Sequence, residues 1–161
     1  MTHLQSNYER MFALIDETFA TRNDPDQIQV TPEQHKKLQE LHPSTLTELA
    51  DENGPLIWVL IVPTTTAIMY DFLKKRISEK ALLEETKVGD SFDCIYLCSI
   101  TTLPEQRGKG ETKKMCIDAI REVQKNHPIK KLFVWPFTKA GEGLAESVAK
   151  ECKLELLKTS F

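Results

Sequence analysis

The chain has 161 residues, four cysteines and a formal net charge of −3, and 40% of its residues are hydrophobic. That length reads as one domain, 1–161, with enough apolar side chains for a packed core. The mildly acidic balance gives no support to a general nucleic-acid or anionic-membrane role. No stretch approaches the ~20 apolar residues of a spanning helix. Met1-Thr2-His3-Leu4-Gln5 lacks the basic flank and apolar core of a leader, so the chain reads as cytoplasmic.

Residues 5–20 have helical spacing, with Met11, Phe12, Leu14, Ile15 and Phe19 on the apolar side. Thr21-Arg22-Asn23-Asp24-Pro25-Asp26 is a turn cluster. Thr31-Pro32-Glu33-Gln34 is a helix start, with Thr31 as cap, Pro32 at the first position and Gln34 three residues after the cap. That helix ends near Leu41, because Pro43 disfavours continuation. Residues 44–51 read as another short helix, and Asn53-Gly54-Pro55 as a break. The first 52 residues are therefore expected to be mostly helical, and residues 53–161 to hold the sheet.

Residues 56–62, Leu-Ile-Trp-Val-Leu-Ile-Val, are continuously apolar, as in a strand covered on both faces, and Pro63 is expected to end it. Helical spacing resumes over 64–76 through Ala67, Ile68, Tyr70, Phe72 and Leu73, and a short helix with Leu82 and Leu83 begins at Ser78. Residues 92–102 are a strand. A helix follows with Met115, Ile117, Ala119, Ile120 and Val123 as its apolar positions. Residues 131–136 form a further strand, 140–152 a helix and 154–157 a terminal strand. Strands alternating with helices define a three-layer α/β (α+β) fold, a mixed central sheet flanked by helices behind a helical N-terminal region.

None of Cys94, Cys98, Cys116 and Cys152 forms a Cys-x-x-Cys pair. On a regular strand Cys94 and Cys98 share a face with Tyr96, Ile100 and Thr102, about 13 Å apart at ~3.3 Å per residue, and are too far apart to bond or share a metal. They read as small buried hydrophobes. His3, His35, His42 and His127 show no metal-ligand spacing. His127 precedes Pro128 at a helix end, where a positive side chain suits the dipole.

The most informative stretch is the turn after residue 102. Leu103-Pro104-Glu105-Gln106-Arg107-Gly108-Lys109-Gly110-Glu111-Thr112 joins a strand directly to a helix. Such a turn aims free backbone N–H groups and the positive end of a helix dipole at one spot, which suits a phosphate. Gly108 and Gly110 permit close backbone approach. Arg107 and Lys109 add positive charge. A nucleotide phosphate loop of the Gly-Lys-Ser/Thr order is not present.

Arg107-Gly108-Lys109-Gly110-Glu111-Thr112 resembles the Arg/Gln-x-x-Gly-x-Gly/Ala signature of the GCN5-related N-acetyltransferases (GNAT), and the preceding Leu-Pro-Glu fits its Pro-Glu-x-Arg-Gly-x-Gly form. Thr112 stands where Gly or Ala is usual. The resemblance implies an acyl-coenzyme A N-acyltransferase-like fold. It also implies acetyl-coenzyme A as donor, its pyrophosphate on Arg107, Gly108, Lys109, Gly110, Glu111, Thr112 and Lys113, and further contacts from Ile100, Thr101 and Thr102. No metal is implied. The family opens with a strand and has a β-hairpin before the motif strand. Here the opening is helical, and a helix is expected to replace part of that hairpin.

Acetyl transfer to an amine needs a polarised carbonyl, a neutral amine and a protonated leaving group. An alkyl amine, with a pKa of ~10.4, is mostly charged at pH 7, so a base is expected. The stretch where the family often carries Glu or Asp holds Cys98 and Ser99, with Asp93 and Glu105 flanking it. The family's usual acid, a Tyr, is replaced by Ala149. Glu142 either favours the dipole of its helix or receives a proton from an acceptor. Tyr96 and Cys98 are the remaining candidates, each with a core-packing alternative. Trp135 and Phe137 either line the cleft or pack in the core.

Two functions follow from the resemblance. One is N-acetyl transfer from acetyl-coenzyme A to a small-molecule or peptide amine. The other is a catalytically degenerate acyl-coenzyme A-binding sensor or regulatory module. A homodimer is left open.

Overall fold

The computed structural model describes residues 6–19, 27–28, 31–136 and 138–159. The turn cluster at 21–26, His3 and Phe137 lie outside them. Two helices open the chain, α1 (Asn7–Phe19) and α2 (Pro32–Leu41). They are followed by strands β1 (Leu46–Asp51) and β2 (Gly54–Thr64) and helices α3 (Thr66–Leu73) and α4 (Glu79–Glu85). Strand β3 (Cys94–Thr102), helix α5 (Glu111–Gln124), strand β4 (Lys131–Val134), helix α6 (Lys139–Cys152) and strand β5 (Glu155–Lys158) complete it.

The strands form one sheet in the order β1-β2-β3-β4-β5. The pairs β1–β2 and β2–β3 are antiparallel, and β3–β4 and β4–β5 are parallel. Each parallel step needs a crossover helix, and α5 and α6 supply them. Right-handed crossovers advancing in one direction put both helices on the same face, where they pack together. The opposite face is covered by α1, which sets Tyr8 and Phe12 against Trp58, and by α3, which sets Phe72 against Tyr96 and Phe133. The three-layer mixed fold expected from the sequence is the fold present.

Helix α2 begins as its sequence dictates. Thr31 Oγ1 accepts the Gln34 N–H at 3.2 Å, and the Gln34 side chain accepts the Thr31 N–H at 3.3 Å. Residues 46–51, expected to be helical, are instead strand β1. Asn53-Gly54 is not a break but part of a tight hairpin that sets Asp51 opposite Gly54, whose φ is +115°. Pairing with the apolar β2 outweighs the weak local preference of Leu46 and Leu49. The N-terminal part is therefore not purely helical, and a boundary at residue 52 would cut a hairpin. The hairpin is intact too: α3 and α4 lie between it and β3 rather than replacing part of it.

Pro63 does not end β2, which runs to Thr64. The Ile61 N–H donates to Thr45 C=O, so Ile61 and, by alternation, Pro63 turn their backbone toward the β1 side. Strand β1 begins only at Leu46, opposite Leu60, and the missing N–H of Pro63 disrupts no ladder.

A bulge lies in the middle of β3. Leu60 pairs with Ser99 and Ile61 with Leu97, so Cys98 is an extra residue. Before it, Cys94 and Tyr96 face α1, α3 and α4. After it, partners Trp58 and Leu60 place Thr101 and Ser99 on that same face. Ile100 and Thr102 move to the α5 side. The regular-strand expectation that Ile100 and Thr102 share a face with Tyr96 fails for this reason.

Candidate functional site

The β3–β4 ladder ends at Leu97 and Val134, yet β3 continues to Thr102. Past Val134 the chain turns away through Trp135 and Pro136 to Thr138, which caps α6 by accepting the Gly141 N–H at 2.9 Å. A gap therefore opens beside the second half of β3. The Leu103 N–H donates to Leu56 C=O, so Leu103 and, by alternation, Thr101 and Ser99 aim their backbone groups at β2. Ile100 and Thr102 aim theirs into the gap. Of the three strand residues singled out from the sequence, the structure brings these two to the gap. Thr101 is not among them: its side chain is buried on the opposite face, its Oγ1 without a hydrogen-bond partner among the described residues.

A single 3-10 turn (Pro104–Gln106) carries the chain from β3 to α5. Gly108 and Gly110 then adopt left-handed backbone, φ +78° and +79°, and Gly110 caps α5. A Cβ at either glycine would meet nothing within 4 Å, so the space above the turn is open. The helix ladder starts with the Lys114 N–H donating to Gly110 C=O at 3.1 Å. Among the described residues, the N–H groups of residues 108–113 have no backbone or side-chain acceptor. They are left as free donors around the start of α5.

Arg107, Lys109 and Glu111 are exposed, and neither base has a carboxylate partner among the described residues. Glu105 is held instead by Arg10 of α1 at 2.7 Å, and that guanidinium keeps its carboxyl below the usual carboxylate range. Lys113 lies 3.8 Å from Glu151 of α6. Thr112, the departure from the signature, spends its hydroxyl on Thr102 Oγ1 at 2.9 Å. This bridge ties the last residue of β3 to the first turn of α5.

The proposed acid–base residues fall in three places. Tyr96 is fully buried, stacked on Phe133, and its hydroxyl donates to Glu79 Oε2 at 2.7 Å. Cys98 occupies the bulge at the mouth of the gap. Burial first and Glu79 second push its thiol well up, which keeps it protonated. Glu142 is half-exposed in the first turn of α6, 3.6 Å from Lys158 of β5, which also contacts Glu146. The structure does not bring Glu142 together with Tyr96 or Cys98. Trp135 packs 6.4 Å from Phe72.

Sequence reasoning missed Glu79. It is buried at the start of α4, and its Oε1 accepts the Ile28 N–H at 2.7 Å. Its position after the helix cap Ser78 looks like any first-turn acid; its burial depends on residues 28 and 96, far away in sequence.

His127 also differs from expectation. Its Nδ1 accepts the Phe92 N–H at 3.2 Å, and burial, then His42, lower its pKa. It is a neutral acceptor rather than a positive helix end. Cys94, Cys98 and Cys116 are buried thiols and Cys152 is half-buried; none is bonded to another. Among the described residues no three His, Cys, Asp or Glu side chains converge as a metal site, and no helix is long and apolar enough to cross a membrane.

No known family model matches this chain, and no curated protein matches its sequence. A solved structure resembles its fold: Chaetomium thermophilum Naa20 in complex with a bisubstrate analogue. It is 11% identical, with a TM-score of 0.52, over 92% of this chain and 68% of that one. The likeness establishes a GNAT-like fold, a mixed five-stranded sheet between helical layers.

Proposed function

We propose that this chain, read as one domain, is an acetyl-coenzyme A-dependent N-acetyltransferase that acts on a small-molecule or peptide amine. The observation that carries the reading is the cluster of free N–H groups at residues 108–113, open above Gly108 and Gly110 and flanked by Arg107 and Lys109. Those groups suit the pyrophosphate of coenzyme A. The gap-facing backbone of Ile100 and Thr102 offers hydrogen bonds to the amide-bearing arm of the same molecule. When bound, acetyl-coenzyme A supplies the activated acyl group. The chain's own residues hold it and exclude water. Direct transfer is favoured over an acyl-enzyme, because the Cys98 thiol is held protonated and is a poor nucleophile. The likeness to a fold solved with a bisubstrate analogue supports two substrates meeting in one site.

Thermal unfolding with acetyl-coenzyme A, with ATP as control, tests the reading. At 100 times its dissociation constant a ligand adds about 2.7 kcal/mol. For a chain of this length that raises Tm by about 5–11 °C. A shift with acetyl-coenzyme A and none with ATP is expected; equal behaviour with both refutes the assignment. Release of free thiol on adding amines then separates an enzyme from a binding module.

A further inference from the structure

Helix α1 lies over β2 and β3, and on the same side of the sheet Glu48 and Ala50 of β1 stay exposed. The result is a shallow trough beside the helix. Tyr8 and Phe12, each 50% exposed, form its wall, with their rings 6.2 and 5.6 Å from Trp58. Trp58 of β2, partly exposed, lies on the floor. Glu48 stands directly across from Trp58 in the β1–β2 register and so shares its face. Its carboxylate has no hydrogen-bond or ion-pair partner among the described residues.

The outer edge of β1 is free as well: among the described residues no strand pairs with it there. Ile61 turns its backbone toward β1, so by alternation Val59 and Ile57 do too, and their partners Thr47 and Leu49 answer them. Leu46 and Glu48 therefore present their N–H and C=O groups outward. An extended segment added at this edge sets one side chain directly opposite Glu48, over the trough. Charge selects that segment. Strand β1 carries Glu48 and Asp51 and no base, so a second copy would set carboxylate against carboxylate. Glu9 and Glu52 nearby are exposed, and Arg10 of α1 is taken by Glu105. Residues 1–60 carry ten Asp or Glu against four Lys or Arg, whereas residues 61–161 carry fourteen against seventeen. A basic side chain opposite Glu48 meets a carboxylate first and aromatic faces behind it, which suit both its charge and its apolar stem.

We propose that the outer edge of β1 and the trough beside α1 dock an extended basic peptide. Its main chain pairs with Leu46 and Glu48, and one arginine or lysine lies across Glu48 onto Trp58. The site shares no residue with the 108–113 turn and does not depend on acetyl transfer.

The test uses the full chain and two peptides with blocked termini, one alternating threonine with arginine and one alternating threonine with glutamate. The arginine peptide should bind and the glutamate peptide should not. Hydrogen exchange at the Glu48 amide should slow on binding, because strand pairing covers it. Glu48→Lys, at an exposed position, removes one surface ion pair and adds a repulsion of like size. It should weaken the arginine peptide by about 2- to 30-fold and admit the glutamate peptide in its place. The thermal shift from acetyl-coenzyme A should be the same in this variant. Equal binding of the two peptides, an order that Glu48→Lys leaves unchanged, or unslowed exchange at Glu48 overturns the inference. Full displacement of the arginine peptide by an equal concentration of spermidine would give the trough to a small cation and overturn it too. So would a dimer in sedimentation that the arginine peptide dissolves, since the edge would then belong to a second copy. None of these results bears on acetyl-coenzyme A binding, which its own thermal shift decides.

Discussion

Replacing Gly110 by Asp tests the cofactor turn most directly. Gly110 has φ +79° with open space where a Cβ would stand. The folding cost is therefore the left-handed backbone alone, roughly 1–2 kcal/mol. That lowers Tm by about 2–8 °C. Binding suffers separately. Two like charges at about 4 Å repel by about 1 kcal/mol in water and about 4 kcal/mol at an effective dielectric of 20. Affinity for a phosphorylated ligand should fall by about 5-fold at the weak limit and about 1,000-fold at the strong one. The thermal shift from acetyl-coenzyme A then drops to about two-thirds of its original size or disappears. Gly89→Asp is the matched control. Gly89 has φ +94° and the same open space, but it precedes β3, a strand length or about 30 Å away, beyond the screening distance. Both variants should lose similar stability, and only Gly110→Asp should lose the ligand shift. A full shift in correctly folded Gly110→Asp would refute the placement of the phosphate.

Thr112→Val keeps the side-chain shape but removes the hydroxyl bridge to Thr102. It should cost about 0.5–1.5 kcal/mol, seen as a Tm about 1–6 °C lower. Thr102→Val with Thr112→Val should cost less than the two singles added, and strict additivity would show that the bridge contributes nothing. His127 gives a pH signature. Its folded pKa lies below the unfolded value of 6.5, so the unfolded chain binds the proton more readily. Its contribution to stability is present above about pH 6.5 and lost as pH falls through the lowered value. His127→Gln should flatten that part of a Tm-against-pH curve, and an unchanged slope would remove His127 as its source.

Where one segment contains its own instructions, the sequence was a sufficient guide. Thr31, Pro32 and Gln34 specify the start of α2 without help from the rest of the chain. The continuous apolar run of β2 announces a strand buried on both faces. Gly108 and Gly110 announce a turn of left-handed backbone at the start of α5. Residues 46–51 were misread because their strand state depends on β2, whose register no local pattern reveals. The same limit hid the Cys98 bulge, since an extra residue exists only relative to Leu60 and Ile61 across the ladder. It also hid Glu79, whose Tyr96 and Ile28 partners stand 17 and 51 residues away.

The extra residue in β3 is slack in the ladder. Removing Cys98 would leave Leu97 opposite Ile61 and Ser99 opposite Leu60, a regular alternation in which Ile100 and Thr102 stay on the α5 side. The glycine turn would still leave the sheet from the same side, and the deletion would cost only the local bend at the gap. A one-residue deletion should therefore be better absorbed at this point than in the unbulged strand β2.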